Sequence, residues 1–337
     1  MGKKIVWIIS EGSPGHISQS KGLVNSLAAI VPLQMITIEG RATVRGWIRP
    51  LIRFFMGKKG RPLPSILLKH ISNMNIPKKV PAPDLIVSSG GKSVFVAKTV
   101  SQQYQVPYVF IGERKPYPAE WFHTIISPVP GESCQNSIDV ELIPTPVTPD
   151  FIAQKGVQEK DLWCMIIGGT SRSRRFSQTD WIDLARGMNT LAQKHSVRWL
   201  ITTSRRTGSS TEKLLKQNLR PEILADAIWW ADKPRRELYN FMARAEVLFV
   251  TQDSITMITE AVASGKPVIA IQPLKIISHP ENFSVSYFDR LEKNQRIVQL
   301  KCNELNNLDL SINKFSFFKD LDQIKTREKL LKKLSWN

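Results

Sequence analysis

Short apolar runs and longer amphipathic stretches alternate along this chain. Residues 4–9 read as a strand, 18–30 as a helix and 33–38 as a strand, since the apolar spacing shifts between a period near two and one near 3.6. A strand over 84–88 runs into Gly90-Gly91, and the helical pattern 93–104 and the short strands 108–111 and 123–126 follow. Pro144, Pro146 and Pro149 then crowd into eight residues, which no helix interior or central strand tolerates. The pattern restarts after them, with strands at 162–167, 198–202 and 227–230 and helices at 179–195, 213–218 and 235–244. The apolar run 247–250 and a helix opening near Ser254 come next, and Gly265-Lys266-Pro267 closes that helix before the apolar run 268–271. Alternating β and α segments on both sides of a proline-rich break predict two parallel α/β domains, 1–147 and 148–337. The basic terminal helix, 319–334, packs either with the second domain or back on the first.

Composition adds limits to that picture. The 337 residues suit about two domains, and 42% hydrophobic content supplies real cores. Cys134, Cys164 and Cys302 are far apart, form no CxxC pair and suggest a reducing compartment. No apolar run approaches the ~18 residues of a membrane-spanning helix, and the N-terminal apolar run is too short for a signal peptide. The net charge of +18 favours polyanionic partners: nucleic acid, anionic lipid or phosphorylated substrates. No nucleic-acid-binding motif is present, so a specific nucleic-acid partner is not expected. The histidines show no metal-ligand spacing, and neither a metal nor a cofactor is expected.

Three turns that follow strands carry candidate chemistry, because ligands of parallel sheets bind beyond the strands' carboxyl ends. In the first, Gly12, Ser13 and Gly15 lead to His16 at the start of a helix, where an imidazole can take a proton. In the second, Gly168, Gly169, Thr170, Ser171 and Arg172 form a plausible phosphate cradle, though not a GxGxxG or a Walker loop. In the third, Gln252, Asp253 and Ser254 stand at a helix N-terminus, and Thr256 and Glu260 share one face of that helix. A carboxylate there can accept hydrogen bonds from vicinal hydroxyls. Ordinary turns and a capped helix would account for parts of each pattern. Ser89, Gly90, Gly91 and Lys92 also follow a strand, and Glu113 ends another as a reserve base.

One segment has the character of a surface. Arg45, Arg49 and Arg53 recur every four residues beside Trp47, Phe54 and Phe55. On a helix this makes a basic amphipathic face suited to an anionic membrane, although Pro50 is expected to interrupt it. A core helix with solvated arginines is the plainer alternative.

These residues together resemble a mitochondrial-fission family, the "elongated mitochondria" proteins, whose bacterial members look like GT-B glycosyltransferases. The resemblance covers most of the chain, and 251–267 is its most specific part. A more distant similarity is to the lipid-linked N-acetylglucosaminyltransferase of peptidoglycan synthesis, from which this chain departs by Pro14 in its first loop. The resemblance implies an α/β protein of two facing Rossmann-like domains with an inter-domain cleft, the acceptor in the first and a nucleotide-sugar donor in the second. It implies Glu260 on the donor ribose, the 168–172 loop and Ser254 on the diphosphate, and His16 or Glu113 as base. The expected activity is metal-independent transfer of a sugar to a membrane-associated lipid or lipopolysaccharide-core acceptor. The expected location is cytoplasmic, peripheral on the inner face of the membrane. A nucleotide-sugar epimerase of the same fold and a non-enzymatic membrane-surface adaptor are the alternatives.

Overall fold

The structure is a computed structural model and describes residues 2–77, 79–129, 134–171, 174–276, 283–308, 310, 315–317 and 321–336. Its contacts divide the chain into two units, Met1–Pro146 with Asp320–Asn337, and Val147–Lys319.

The first unit contains β1 (Lys4–Ser10), α1 (Pro14–Ala28), β2 (Leu33–Glu39), α2 (Arg49–Met56), α3 (Ser65–Ile71) and β3 (Leu85–Ser89). It continues through α4 (Val94–Gln103), β4 (Tyr108–Ile111), β5 (Thr124–Ser127) and β6 (Ser137–Asp139). The second unit runs through α5 (Pro149–Ala153), β7 (Leu162–Ile166), α6 (Gln178–His195), β8 (Arg198–Thr202), α7 (Ser209–Asn218) and β9 (Leu224–Ile228). It goes on with α8 (Leu238–Arg244), β10 (Val247–Thr251), α9 (Ile255–Ala263), β11 (Val268–Gln272), α10 (Phe283–Lys293) and β12 (Val298–Lys301). The closing helix, α11 (Leu321–Leu334), packs on α1 and β6 and so belongs to the first unit.

Among the described residues each unit holds one six-stranded parallel sheet, ordered β2-β1-β3-β4-β5-β6 and β12-β11-β10-β7-β8-β9. The central strands β1, β3, β7 and β10 are almost wholly buried, which is why they read as unbroken apolar runs. In each sheet the strand order reverses once, between β1 and β3 and between β7 and β10. A parallel sheet opens a crevice at such a reversal, beyond the carboxyl ends of the two strands.

Several element boundaries change: β9 lies at Leu224–Ile228 and not 227–230, and α8 starts at Leu238 and not 235. Helix α1 begins at Pro14, not near residue 18, because proline's fixed φ and missing N–H suit the first helical turn. Pro50 likewise lies in the first turn of α2 and starts that helix instead of interrupting it; a 3-10 turn, Gly46–Ile48, precedes it. Helix α6 has a full capping box between Ser177 and Asp180. Helix α9 is capped by Ser254, whose hydroxyl accepts from the Met257 N–H, and Gly265 turns the chain out at φ +76°. No helix among the described residues is long and apolar enough to cross a membrane.

Candidate functional site

The candidate residues gather at the two reversals, one in each unit.

In the second unit, β7 delivers Gly168-Gly169 against the end of β10. The Gly168 N–H donates to Thr251 Oγ1 at 2.8 Å, and the Thr251 hydroxyl donates to Asp253 Oδ1 at 2.7 Å. The Gly169 N–H also points at the Asp253 carboxylate. A Cβ on Gly168 would lie 2.3 Å from Asp253 Oδ2, and one on Gly169 would lie 2.4 Å from the Arg206 carbonyl oxygen. Gly169 has φ +119°, a conformation that glycine alone adopts cheaply. The two glycines are therefore required by the close approach of three loops.

Asp253 is the buried centre of this arrangement. Its side chain is fully buried, and Arg206 Nη2 lies 2.7 Å from Oδ2 in an ion pair without hydrogen-bond alignment. Burial pushes its carboxyl up to about 6 against the opposing pull of Arg206, the Thr251 hydroxyl and the Gly169 amide. Asp253 thus holds the loop from beneath and presents no free edge. Gln252 also turns inward, donating to Gln299 at 2.5 Å. Thr170 is exposed and Ser171 half-buried, hydrogen-bonded to the backbone of Arg174. Arg172 lies outside the described residues. Arg174, two residues on, is 2% exposed, its guanidinium 5.7 Å from the Phe288 ring centre, and burial lowers its pKa.

Helix α9 starts beside this turn. Thr256 and Glu260 lie one turn apart on it, and Glu260 is 7% exposed. Its carboxylate accepts the Tyr239 hydroxyl, whose pKa is raised by burial and then by the charge and hydrogen bond of Glu260. A carboxylate offers about four acceptor positions, enough for several hydroxyls.

In the first unit, β1 ends at Ser10, Glu11 follows it, and His16 sits in the first turn of α1. His16 Nδ1 lies 2.8 Å from Glu11 Oε1, and the other Glu11 oxygen accepts the Lys92 N–H at 2.9 Å. Burial acts to raise the Glu11 pKa, but the hydrogen bond and charge of His16 and the Lys92 amide hold it below the carboxylate range. A carboxylate accepting from Nδ1–H leaves Nε2 as the basic nitrogen of a neutral imidazole. The β3 turn closes over the pair: Gly90 has φ +92°, and a Cβ there would lie 2.4 Å from His16 Nδ1 and 2.6 Å from the Glu11 carboxylate.

The other expected residues of this unit are less engaged. Gly12 is exposed, Ser13 and Gly15 are half-buried, and Ser13 precedes α1 without a side-chain cap. The Ser89 hydroxyl is buried and donates to Gln19 at 2.5 Å, so it faces the core. The Gly91 carbonyl accepts from Tyr117, and the Lys92 side chain is exposed. Glu113 is exposed in the loop after β4, and the partner of His16 is Glu11.

Two groups escaped the sequence reading. Glu11 stands five residues before His16, a spacing with no helical or strand meaning until the turn folds. Ser204, Arg206 and Thr207 follow β8 and brace the Gly168-Gly169 turn; Thr207 Oγ1 donates to the Ile167 carbonyl at 3.2 Å. Their strand, polar turn, glycine and helix repeat the grammar of the three turns that were recognised.

The surface segment is displayed in full. Trp47, Leu51, Phe54 and Phe55 are 52–78% exposed, while Ile52 and Met56 on the other face of α2 are buried in the core. Arg45 is exposed, and Arg49 and Arg53 are half-buried. Ile66 and Leu67 of α3 are exposed as well, which the sequence did not suggest.

Two parallel α/β units, each with its loops gathered at a strand-order reversal, define the GT-B fold. The M. jannaschii UDP-GlcNAc 2-epimerase has a TM-score of 0.58 to this chain at 12% identity, with all of both chains covered. The Neisseria meningitidis UDP-GlcNAc 2-epimerase, solved with UDP-GlcNAc bound, has a TM-score of 0.51 at 12% identity, again over all of both chains. Residues 14–313 match the family model described as Mitochondrial fission ELM1, and the chain belongs to that family. An uncharacterised Rickettsia prowazekii protein, RP120, is 25% identical over 179 residues, 51% of this chain and 46% of that protein. The match therefore spans about half the length of that relative.

Proposed function

We propose that the protein is a metal-independent glycosyltransferase that takes a nucleotide-sugar donor in its second unit and delivers the sugar to a membrane-associated acceptor, a lipid or a lipopolysaccharide core. The observation that carries this reading is the Gly168-Gly169 turn, held against Asp253 beside the start of α9, with Glu260 one turn further along the helix. That geometry suits a diphosphate at the helix N-terminus and a ribose on the carboxylate. The known epimerases of this fold, one of them solved with UDP-GlcNAc, support a sugar nucleotide as the ligand class.

In this reading Thr170 and Ser171 line the diphosphate with Ser254, and Glu260 accepts the ribose hydroxyls. His16 takes the acceptor's proton on Nε2, and Glu11 is its positioning residue, replacing Glu113 as the carboxylate that matters. Oriented N–H groups and arginines stabilise the leaving phosphate without Lewis-acid help. The exposed aromatic face of α2, ringed by Arg45, Lys58 and Lys59, holds the enzyme at an anionic bilayer on the cytoplasmic side.

A thermal-shift panel of nucleotide sugars, followed by calorimetry, tests the donor. A ligand that stabilises the wild type and not Glu260→Ala is expected; absence of any nucleotide binding removes the enzyme reading and leaves the adaptor. A sugar product formed from the donor alone, without an acceptor, identifies an epimerase instead. Flotation with phosphatidylglycerol vesicles tests the surface. The wild type is expected to float, and Phe54→Ser with Phe55→Ser to remain behind; equal recovery of both disproves the docking face.

A further inference from the structure

Helix α2 carries two arginines that its exposed aromatic face does not use. At about 100° per residue, Arg49 and Arg53 fall together, one turn apart, between the buried stripe of Ile52 and Met56 and the exposed Phe54. Both are half-buried, whereas Arg45 is exposed. Among the described residues neither guanidinium has a hydrogen bond or an ion pair, and the Nε of Arg49 is buried without a partner. Two cations side by side, partly withdrawn from water and with no carboxylate between them, repel each other and favour an anion there.

Tyr117 connects these arginines to the Glu11–His16 pair. Burial raises its pKa, Arg49 and Arg53 pull it down and Glu11 pushes it up, so all three charges reach one hydroxyl. That hydroxyl donates to the Gly91 carbonyl at 2.7 Å. Gly91 follows Gly90, where a Cβ would lie 2.4 Å from His16 Nδ1. Tyr117 itself is 6% exposed and fixed by Phe95 and Trp121, each 5.6 Å away between ring centres. Solvent reaches the arginines, the Lys92 side chain and the His16 imidazole, which is 37% exposed. Glu11 is already held by His16 and the Lys92 N–H, so it does not neutralise the arginines.

We infer that Arg49 and Arg53 bind the phosphate of a lipid phosphate monoester whose chain runs over Phe54. Two guanidinium forks match the oxygens and the double charge of a phosphomonoester, which a diester or a carboxylate does not supply. The exposed ring beside Arg53 supplies the apolar contact that free phosphate cannot use. Such a lipid, set beside His16, is the acceptor of the transferase reading. Its role as acceptor rests on that reading; its binding does not.

The probe is dihexanoyl phosphatidate, kept below its micellar concentration and titrated calorimetrically into the full chain. Dihexanoylglycerol has the chains without the phosphate, dihexanoyl phosphatidylcholine is a diester without net charge, and inorganic phosphate has no chain. We expect phosphatidate to bind about tenfold tighter than any of the three. Arg49→Gln and Arg53→Gln should each weaken it about tenfold, and Lys21→Gln, at a surface cation of α1, should leave it unchanged. Phe54→Ser should narrow its lead over inorganic phosphate. Equal affinity for phosphatidylcholine, or an equal loss in Lys21→Gln, would show only a general attraction to chains or charge and overturn the inference. Binding no tighter than inorganic phosphate would overturn it as well. So would absence of phosphatidate binding by the wild type at millimolar concentration, a result that depends on no variant. Sugar transfer to a lipid that phosphatidate does not displace would keep the transferase and overturn this site, whereas phosphatidate binding without nucleotide-sugar binding would remove the transferase and leave the site.

Discussion

The two strand-order reversals are built alike and charged differently. Each brings a glycine turn from one strand against a carboxylate, so closely that a single Cβ would collide with it: Gly90 with Glu11, Gly168 with Asp253. In the first unit the carboxylate is paired with an imidazole that solvent reaches, is itself largely buried and is held in its ionised form. In the second it is paired with an arginine, is fully buried and is pushed toward its protonated form. The same backbone device therefore holds a carboxylate–imidazole pair in one place and a carboxylate–arginine pair in the other. The difference lies in the depth of the carboxylate and the partner it meets.

The strongest way to break this comparison is at His16. If the first pair handles a proton, His16→Ala should lower turnover by about 10²–10⁴-fold in a nucleotide-sugar assay while donor affinity is unchanged. Glu11→Gln should lower turnover less and leave the donor KM alone. Loss of donor binding in either variant would mean that the first reversal serves the same ligand as the second.

The next effect is on stability against pH, and the two carboxylates have opposite signs. Asp253 ionises near 3.8 when unfolded and about 6 when folded, so its contribution favours the fold below pH 3.8 and is lost as pH rises through 6. The full difference is about 3 kcal/mol at 1.36 kcal/mol per pKa unit. Glu11 is depressed below 4.5, so its contribution is present above that value and lost as pH falls through its folded pKa. Urea unfolding between pH 4 and 7 should therefore show a weaker downward slope in Asp253→Asn than in the wild type. Glu11→Gln should remove an opposite slope at the acid end. Parallel profiles for all three proteins would erase the distinction.

Gly168→Ala comes next. Its Cβ meets a carboxylate that is itself fixed by Thr251 and Arg206, so about 1–3 kcal/mol of strain is expected in chemical unfolding, with weaker nucleotide binding. Gly90→Ala meets a side chain that is partly exposed, and should cost less stability while disturbing the His16 pair. Smallest is Ser254→Ala, which removes the cap of α9 and should cost about 1 kcal/mol with little effect on the first unit.

Much of this was legible beforehand. Strands β1, β3, β7 and β10 are buried on both faces, so apolar runs announced them, and the turns after them were visible as glycines among polar residues. The position of Glu260 was legible because helical spacing fixes its place relative to Thr256 and Ser254. The face of α2 was identifiable for the same reason, although Pro50 was misjudged: proline breaks helices in their interior but begins them well. The roles within the turns were not legible. Asp253 and Gln252 looked like ligand-facing residues, yet both side chains turn inward, and the exposed Thr170 sits beside them. Whether a polar residue in a turn faces a ligand or the core depends on what the neighbouring strand brings up beneath it.

The sequence by itself determined the elements and their order, since burial periodicity and turn residues are local and each strand announces its own environment. It also determined where the glycine-containing turns fall, because they follow strands that announce themselves. The pairings of Glu11 with His16 beneath Gly90 and of Asp253 with Arg206 beneath Gly168 were decided only by the tertiary structure. Each depends on residues brought from separate segments to within a few ångströms, where a missing Cβ and a shared proton or charge determine the outcome, and no local pattern records that approach.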